Sequence, residues 1–165
     1  MATEQEKKAA RASTKLTWHE FLAMGGGALL AISIFLSWYS GENSRATIGG
    51  NPVPQGGGDF TGWEVHTIIR WLLLAAAAAP FILAYIVARG HKLSWARGEM
   101  TAVTSIAALG LIVYNGVIGQ PGEPKGLIGV EYGWFLALIG VLAMLIGSAL
   151  RASEVERARK PPGVL

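Results

Sequence analysis

A chain of 165 residues with 52% apolar content, a net charge of +3 and no cysteine has room for one ordinary domain. The missing cysteine excludes disulfides, thiol catalysis, thioether-linked haem and cysteine zinc sites. The apolar residues also exclude a soluble core, because they are not interleaved with polar ones but gathered into blocks without a polar face.

Four such blocks run at about 18–39, 63–88, 100–118 and 132–150, each near the ~20 residues that cross a hydrocarbon layer. No charge occurs between Phe21 and Ser40, Trp71 and Ala88, Met100 and Ile118, or Tyr132 and Leu150. The reading is an all-α integral membrane four-helix bundle over residues 17–151. Residues 1–16 and 152–165 are then cytoplasmic tails, the first a polar, alanine-rich frayed helix or disordered segment.

The first block opens with LTWHEF (16–21). Thr17 caps, Glu20 closes a capping box, and Leu16 and Phe21 form a hydrophobic staple. Its far end, Trp38 and Tyr39, does not suit a signal peptidase, so an uncut span is expected. Gly25, Gly26 and Gly27 offer a narrow face for helix packing. Residues 40–59 hold six glycines and two prolines, which predicts an exposed, irregular external loop.

FTGWEVHTIIRW (60–71) repeats the opening grammar, with Thr61 and Glu64 as the box and Phe60 and Val65 as the staple. From Trp71 to Ala88 a helix rises about 27 Å, so the second helix is expected to start above the membrane and enter it at Trp71. Arg70 then lies at headgroup level, where it can snorkel to phosphate; His66, four residues earlier on the same face, leaves anion binding as the alternative. Trp38, Tyr39, Trp63, Tyr114, Tyr132 and Trp134 on one side, and Trp18, Tyr85 and Trp95 on the other, read as interfacial belts. Pro80 should kink the second helix by removing a donor and crowding the Ala76 carbonyl. The tight connection 89–99 makes the second and third helices antiparallel neighbours.

On the third block, Thr101, Ser105, Ala108, Ile112 and Asn115 share a face at helical spacing. After a second Pro- and Gly-rich loop (119–131), the fourth block carries Gly133, Gly140 and Gly147 at seven-residue intervals. These two faces are expected to meet, since membrane helices associate through small residues and a few hydrogen bonds. The tail continues the fourth helix, with Glu156 and Lys160 spaced for a pair. KLTW (15–18) recurs as KLSW (92–95), and Gly62-Trp63 as Gly133-Trp134. This suggests two tandem helical hairpins, although lysine and tryptophan also gather at interfaces without any duplication.

Charge sets the orientation. Lys7, Lys8, Arg11 and Lys15 precede the first block, Arg89, Lys92 and Arg97 join the second to the third, and Arg151, Arg157, Arg159 and Lys160 follow the fourth. Arg45, Arg70 and Lys125 are left on the other side. The positive-inside rule then places both termini in the cytoplasm of a plasma (inner) membrane. The basic balance points to anionic headgroups and away from nucleic acid.

Little chemistry is visible. His19, His66 and His91 fall at the membrane surfaces without metal-ligand spacing, and there is no GxSxG or phosphate loop. The buried polar residues expected (Ser33, Thr101, Thr104, Ser105, Asn115, Ser148) are uncharged, which disfavours a coupled transporter. The prediction is a chain that is not an enzyme, with no catalytic residue, cofactor or metal.

IFLSWYS (34–40) and FTGWE (60–64) resemble the phrases that end the first helix and open the second in small four-span membrane proteins of actinobacteria and their relatives. That resemblance spans most of the chain and implies a four-span topology but no activity. A claudin-like arrangement shares the large first external loop; this loop lacks that family's paired cysteines. Two functions remain open. One is a non-catalytic accessory or scaffold that packs against itself or a larger envelope complex. The other is a small-molecule or lipid binder, or a channel, with an outward-facing pocket or ion pair formed by Trp63, His66, Arg70, Asn115 and Glu131. The partners expected are membrane lipids and another membrane protein or a second copy.

Overall fold

The computed structural model describes residues 16–89 and 97–159. Residues 1–15, His91, Trp95, the KLSW phrase and the Glu156–Lys160 pair are outside the described backbone or side chains. Most of what is described is helical: α1 (Trp18–Ser33), α2 (Gly62–Val65), α3 (Ile69–Ala88), α4 (Arg97–Val113) and α5 (Tyr132–Arg159). Three stretches, Ile69–Ala88, Gly98–Ile118 and Tyr132–Ser153, are long and apolar enough to cross a membrane. They correspond to the second, third and fourth sequence blocks.

The first block is different. α1 stops at Ser33, the chain turns through Phe35 N to Ile32 O (3.1 Å) and Leu36 N to Ser33 O (3.0 Å), and a strand begins at Ser37. The expected irregular loop 40–59 is likewise largely strand and tight turn. β1 (Ser37–Gly41), β2 (Thr47–Ile48), β3 (Asn51–Pro52), β4 (Gly58–Thr61), β5 (Gly122–Glu123) and β6 (Ile128–Val130) form two antiparallel sheets, ordered β4–β1–β6 and β3–β2–β5. Each sheet takes two strands from the first connection and one from the 119–131 connection, so the two connections become one cap. An all-α description is therefore incomplete.

Its backbone chemistry is readable. Gly49 and Gly50 both take positive φ (60° and 82°) between β2 and β3, as a two-residue hairpin of the right twist requires. In β1 the register shifts between Ser37 and Tyr39. Strand side chains normally alternate faces, and a bulge suspends that rule, so adjacent Trp38 and Tyr39 are both wholly buried. Neither belongs to an interfacial belt, and buried Trp134 does not either. Trp38 Nε1 donates to Ser33 O at 2.7 Å and Trp134 Nε1 to Ile112 O at 2.9 Å. With Ile48, Ala46 and Val53 these rings continue the helical core into the cap.

The expected second helix is also interrupted. Thr61 and Glu64 form the full capping box of α2, but His66 (φ −109°, ψ 86°) ends that helix after one turn and α3 starts at Ile69. Above α4, Tyr114–Ile118 winds as a π-helix. The wider turn leaves the ordinary carbonyl acceptors without their usual donors. Trp134 Nε1 takes Ile112 O, and Asn115 Nδ2 takes Leu111 O at 2.8 Å.

Among the helices, α1 packs most extensively on α5, α4 also packs on α5, and α1 packs on α3. The glycine stripe of α5 faces α1, not α4 as expected. A Cβ on Gly147 would meet His19 O and Ala23 N, one on Gly140 would meet Gly26 O and Leu30 N, and one on Gly133 would meet Ser37 O and Trp38. Contacts that ascend α1 while descending α5 define an antiparallel pair along nearly the whole of α1. The triplet in α1 divides its work: Gly26 approaches Gly140 and Met144 of α5, Gly27 approaches Ala77 and Pro80 of α3, and Gly25 faces open space. Buried Thr101, Ser105, Ala108 and Ile112 do share the inner face of α4. α4 meets α5 near Gly98, beside Ser148 and Ala152.

Candidate functional site

Of the five residues singled out at the sheet end, four fall into two groups. Tyr39, from the inward side of β1, joins two of them. Its hydroxyl lies 3.1 Å from His66 Nε2 and 3.1 Å from the backbone carbonyl of Asn115. The carbonyl can only accept. The arrangement that satisfies all three atoms has Nε2–H of His66 donating to the tyrosine oxygen and the tyrosine hydroxyl donating to Asn115 O. Asn115 therefore contributes its backbone, since its side-chain amide is committed to Leu111 O.

Trp38 and Tyr39 each meet the His66 ring edge-on at 5.7 Å. Burial pushes His66 down to about 4 and pushes the Tyr39 hydroxyl above its ordinary range, because the charged forms lose their hydration. Both groups are neutral near pH 7. The cluster is closed on itself and braces β1, the end of α2 and the π-helix against one another.

Trp63 and Arg70 form the second group. Arg70 Nη1 donates to Trp63 O at 2.9 Å, and its Cζ lies 4.4 Å from the Trp63 ring centroid and 5.7 Å from that of Trp71. The two indoles meet edge to face at 5.2 Å, and Phe35 stacks on Trp63 at 5.1 Å. Arg70 Nε is buried without a hydrogen-bond partner. Glu131 joins neither group: its backbone N–H donates to Trp38 O at 2.8 Å, and its carboxylate makes no ion pair with Arg70. The predicted residues thus do not line one pocket. A surface depression at this end is lined instead by Arg45, Thr47, Glu123, Pro124 and Lys125.

Sequence reasoning missed a second polar cluster at the opposite end. Glu20 Oε2 accepts from Thr17 N at 2.7 Å, as the capping box predicts, while Oε1 lies 3.7 Å from Arg151 Nε. Arg151 is only 8% exposed and His19 is also buried, so both are packed inside this end of the bundle. With Pro80, Thr101 and Ser148 they line a cavity of about 30 Å³, enough for about one water. A signal existed: Arg151 follows Gly147 by four residues and so shares the face that α1 packs on. Among the described residues no group of three or more His, Asp or Glu side chains is placed to hold a metal ion.

Comparison with known proteins adds nothing to this geometry: no family model matches the chain, and neither curated proteins nor solved structures give a significant match.

Proposed function

We propose that the chain is a four-span protein of the plasma (inner) membrane with both termini in the cytoplasm. In this reading it serves as a non-catalytic accessory or scaffold that packs against itself or a larger envelope complex. The observation that carries the reading is the cap. Both connections at the sheet end fold into paired strands over buried Trp38, Tyr39 and Ile48, and the titratable groups beneath them are neutral and hydrogen-bonded to one another. Such a surface is stiff and pre-shaped, which suits protein contact because little ordering entropy is lost on binding. α1, at 16 residues, rises about 24 Å. Its antiparallel register along α5 supports a fourth crossing, completed by the apolar turn at 34–36. Exposed apolar side chains such as Ile106, Val117, Phe135 and Ile139 suit lipid or a partner helix, and the distribution of basic residues supports the orientation.

The test is purification of the full chain in mild detergent, followed by native mass spectrometry and by cross-linking from the cap in intact cells. A defined oligomer, or one stoichiometric membrane partner, supports the reading. A monomer with no cross-linked neighbour and a tightly held soluble small molecule refutes it in favour of the binder. For the orientation, a cysteine replacing exposed Gln55 should react with an impermeant thiol reagent in intact cells, and one placed after Arg157 should not; the reverse pattern inverts the topology.

A further inference from the structure

Arg70 is held firmly but not neutralised. Its guanidinium is fixed by the Trp63 carbonyl and by two indole faces, and among the described residues no carboxylate forms an ion pair with it. Stacking and a carbonyl bond orient a cation without cancelling its charge. Of five N–H donors, one on Nη1 is spent and Nε is covered, which leaves the outer Nη hydrogens as a fork for another acceptor.

Around that fork the surface is apolar. Phe35, Trp71 and Leu72 are each more than half exposed, and Phe35, Trp63 and Trp71 form a continuous aromatic shelf. Depth selects the occupant. Arg70 is the second residue of a 20-residue helix that rises about 30 Å, the thickness of a hydrocarbon layer. Resting on the membrane-spanning reading above, that places the guanidinium where lipid phosphates lie and the shelf where acyl chains begin.

The geometry points to a binding site for the phosphodiester of an anionic phospholipid, with Arg70 as the phosphate fork and Phe35, Trp63 and Trp71 as the wall for its chains. A free phosphate would use the fork but gain nothing from the wall. A zwitterionic lipid carries its own cation beside the phosphate and so gains less from an uncompensated arginine.

The test uses delipidated protein in mild detergent with phosphatidylglycerol, phosphatidylcholine or soluble glycerol phosphate, read by native mass spectrometry and thermal unfolding. The expected result is one retained phosphatidylglycerol per chain and a raised Tm, with little effect of phosphatidylcholine and none of glycerol phosphate. Arg70→Gln should abolish retention. Arg70→Lys should bind about tenfold more weakly, equivalent to ~1.4 kcal/mol, because it keeps the charge but loses the fork. Arg45→Gln, also at the sheet end but outside the clamp, should bind as wild type.

Wild-type affinity in Arg70→Gln, or equal stabilisation by phosphatidylcholine, overturns the proposal. Equal stabilisation by glycerol phosphate replaces the lipid with a soluble anion and overturns it as well. If Arg70→Gln does not fold, Arg70→Lys and Trp71→Ala decide, both being expected to weaken phosphatidylglycerol binding. Partner capture is not a readout here, so failure of the scaffold reading leaves this result interpretable.

Discussion

Acidification should loosen the cap through His66, and the size of the effect follows from its burial. Buried beside Trp38 and Tyr39, the imidazole titrates at about 4 instead of 6.5. Between those values the unfolded chain holds a proton that the folded chain does not, so stability rises with pH and is lost as pH falls from about 6.5 toward 4. Each tenfold change in proton affinity between the two states is worth about 1.4 kcal/mol, so the full effect is about 3 kcal/mol, with about 2 kcal/mol already lost at pH 5.

The structural reason is specific. His66 Nε2 faces the Tyr39 hydroxyl, and among the described residues nothing anionic is bonded to the ring to stabilise an imidazolium. His66→Gln retains an amide N–H for Tyr39 but cannot titrate. Measured in the same detergent from pH 8 to pH 4, the unfolding free energy of wild type should therefore fall by about 3 kcal/mol relative to that of the variant as pH drops through 6.5 toward 4. Other groups contribute equally to both curves and cancel in the difference. Parallel curves across pH 4–6.5 would show that His66 is solvated or paired when charged, and the closed-brace account would be wrong.

The neighbouring glycines of α1 should behave oppositely. Gly26→Ala places a Cβ against Gly140 O and Met144 N and should cost about 1–3 kcal/mol, whereas Gly25→Ala, in open space, should be neutral or slightly stabilising in thermal unfolding; equal effects would displace the α1–α5 register. Glu20→Gln keeps an oxygen for Thr17 N but removes the charge opposite Arg151, for a loss of roughly 1–3 kcal/mol. Adding Arg151→Met should cost less than the sum of the single losses, and strict additivity would remove the pair. A double-mutant cycle between Arg70→Lys and Glu131→Gln should show no coupling, and a coupling above about 0.5 kcal/mol would favour an ion pair between them over the headgroup anchor.

The three long helices were legible because uncharged runs of that length have few alternatives, and the Thr61–Glu64 box because its spacing is local chemistry. The cap was not legible, for two physical reasons. SWYSG extends the apolar run of α1, so the change from helix to strand is hidden where a bulge turns two adjacent aromatics inward. The partner strands of two to four residues are too short to show alternation, and the Gly49-Gly50 hairpin signal is diluted by the other glycines of the segment. The α5 stripe announced a close approach but not its partner, because any helix with a small face could fill it. Glu20 was fully explained by its local cap, and that explanation concealed the second bond its other oxygen makes to a residue near the far end of the chain.

The two ends of the bundle meet the cost of buried polarity in different ways, which bears on where binding can occur. At the sheet end the brace is neutral. Tyr39, His66 and the Asn115 carbonyl satisfy one another without charge, so the junction loses little by being dry. At the opposite end a carboxylate and a guanidinium are withdrawn from water together, so that junction carries charge where the other carries none. Arg70 fits neither scheme. It is ordered by groups that cannot cancel its charge, and Glu131, the alternative partner read from the sequence, has its backbone tied into the β1–β6 edge through Trp38 O. A positive charge so placed is best stabilised by something outside the chain, and at the headgroup depth proposed for it the most abundant anion is a lipid phosphate.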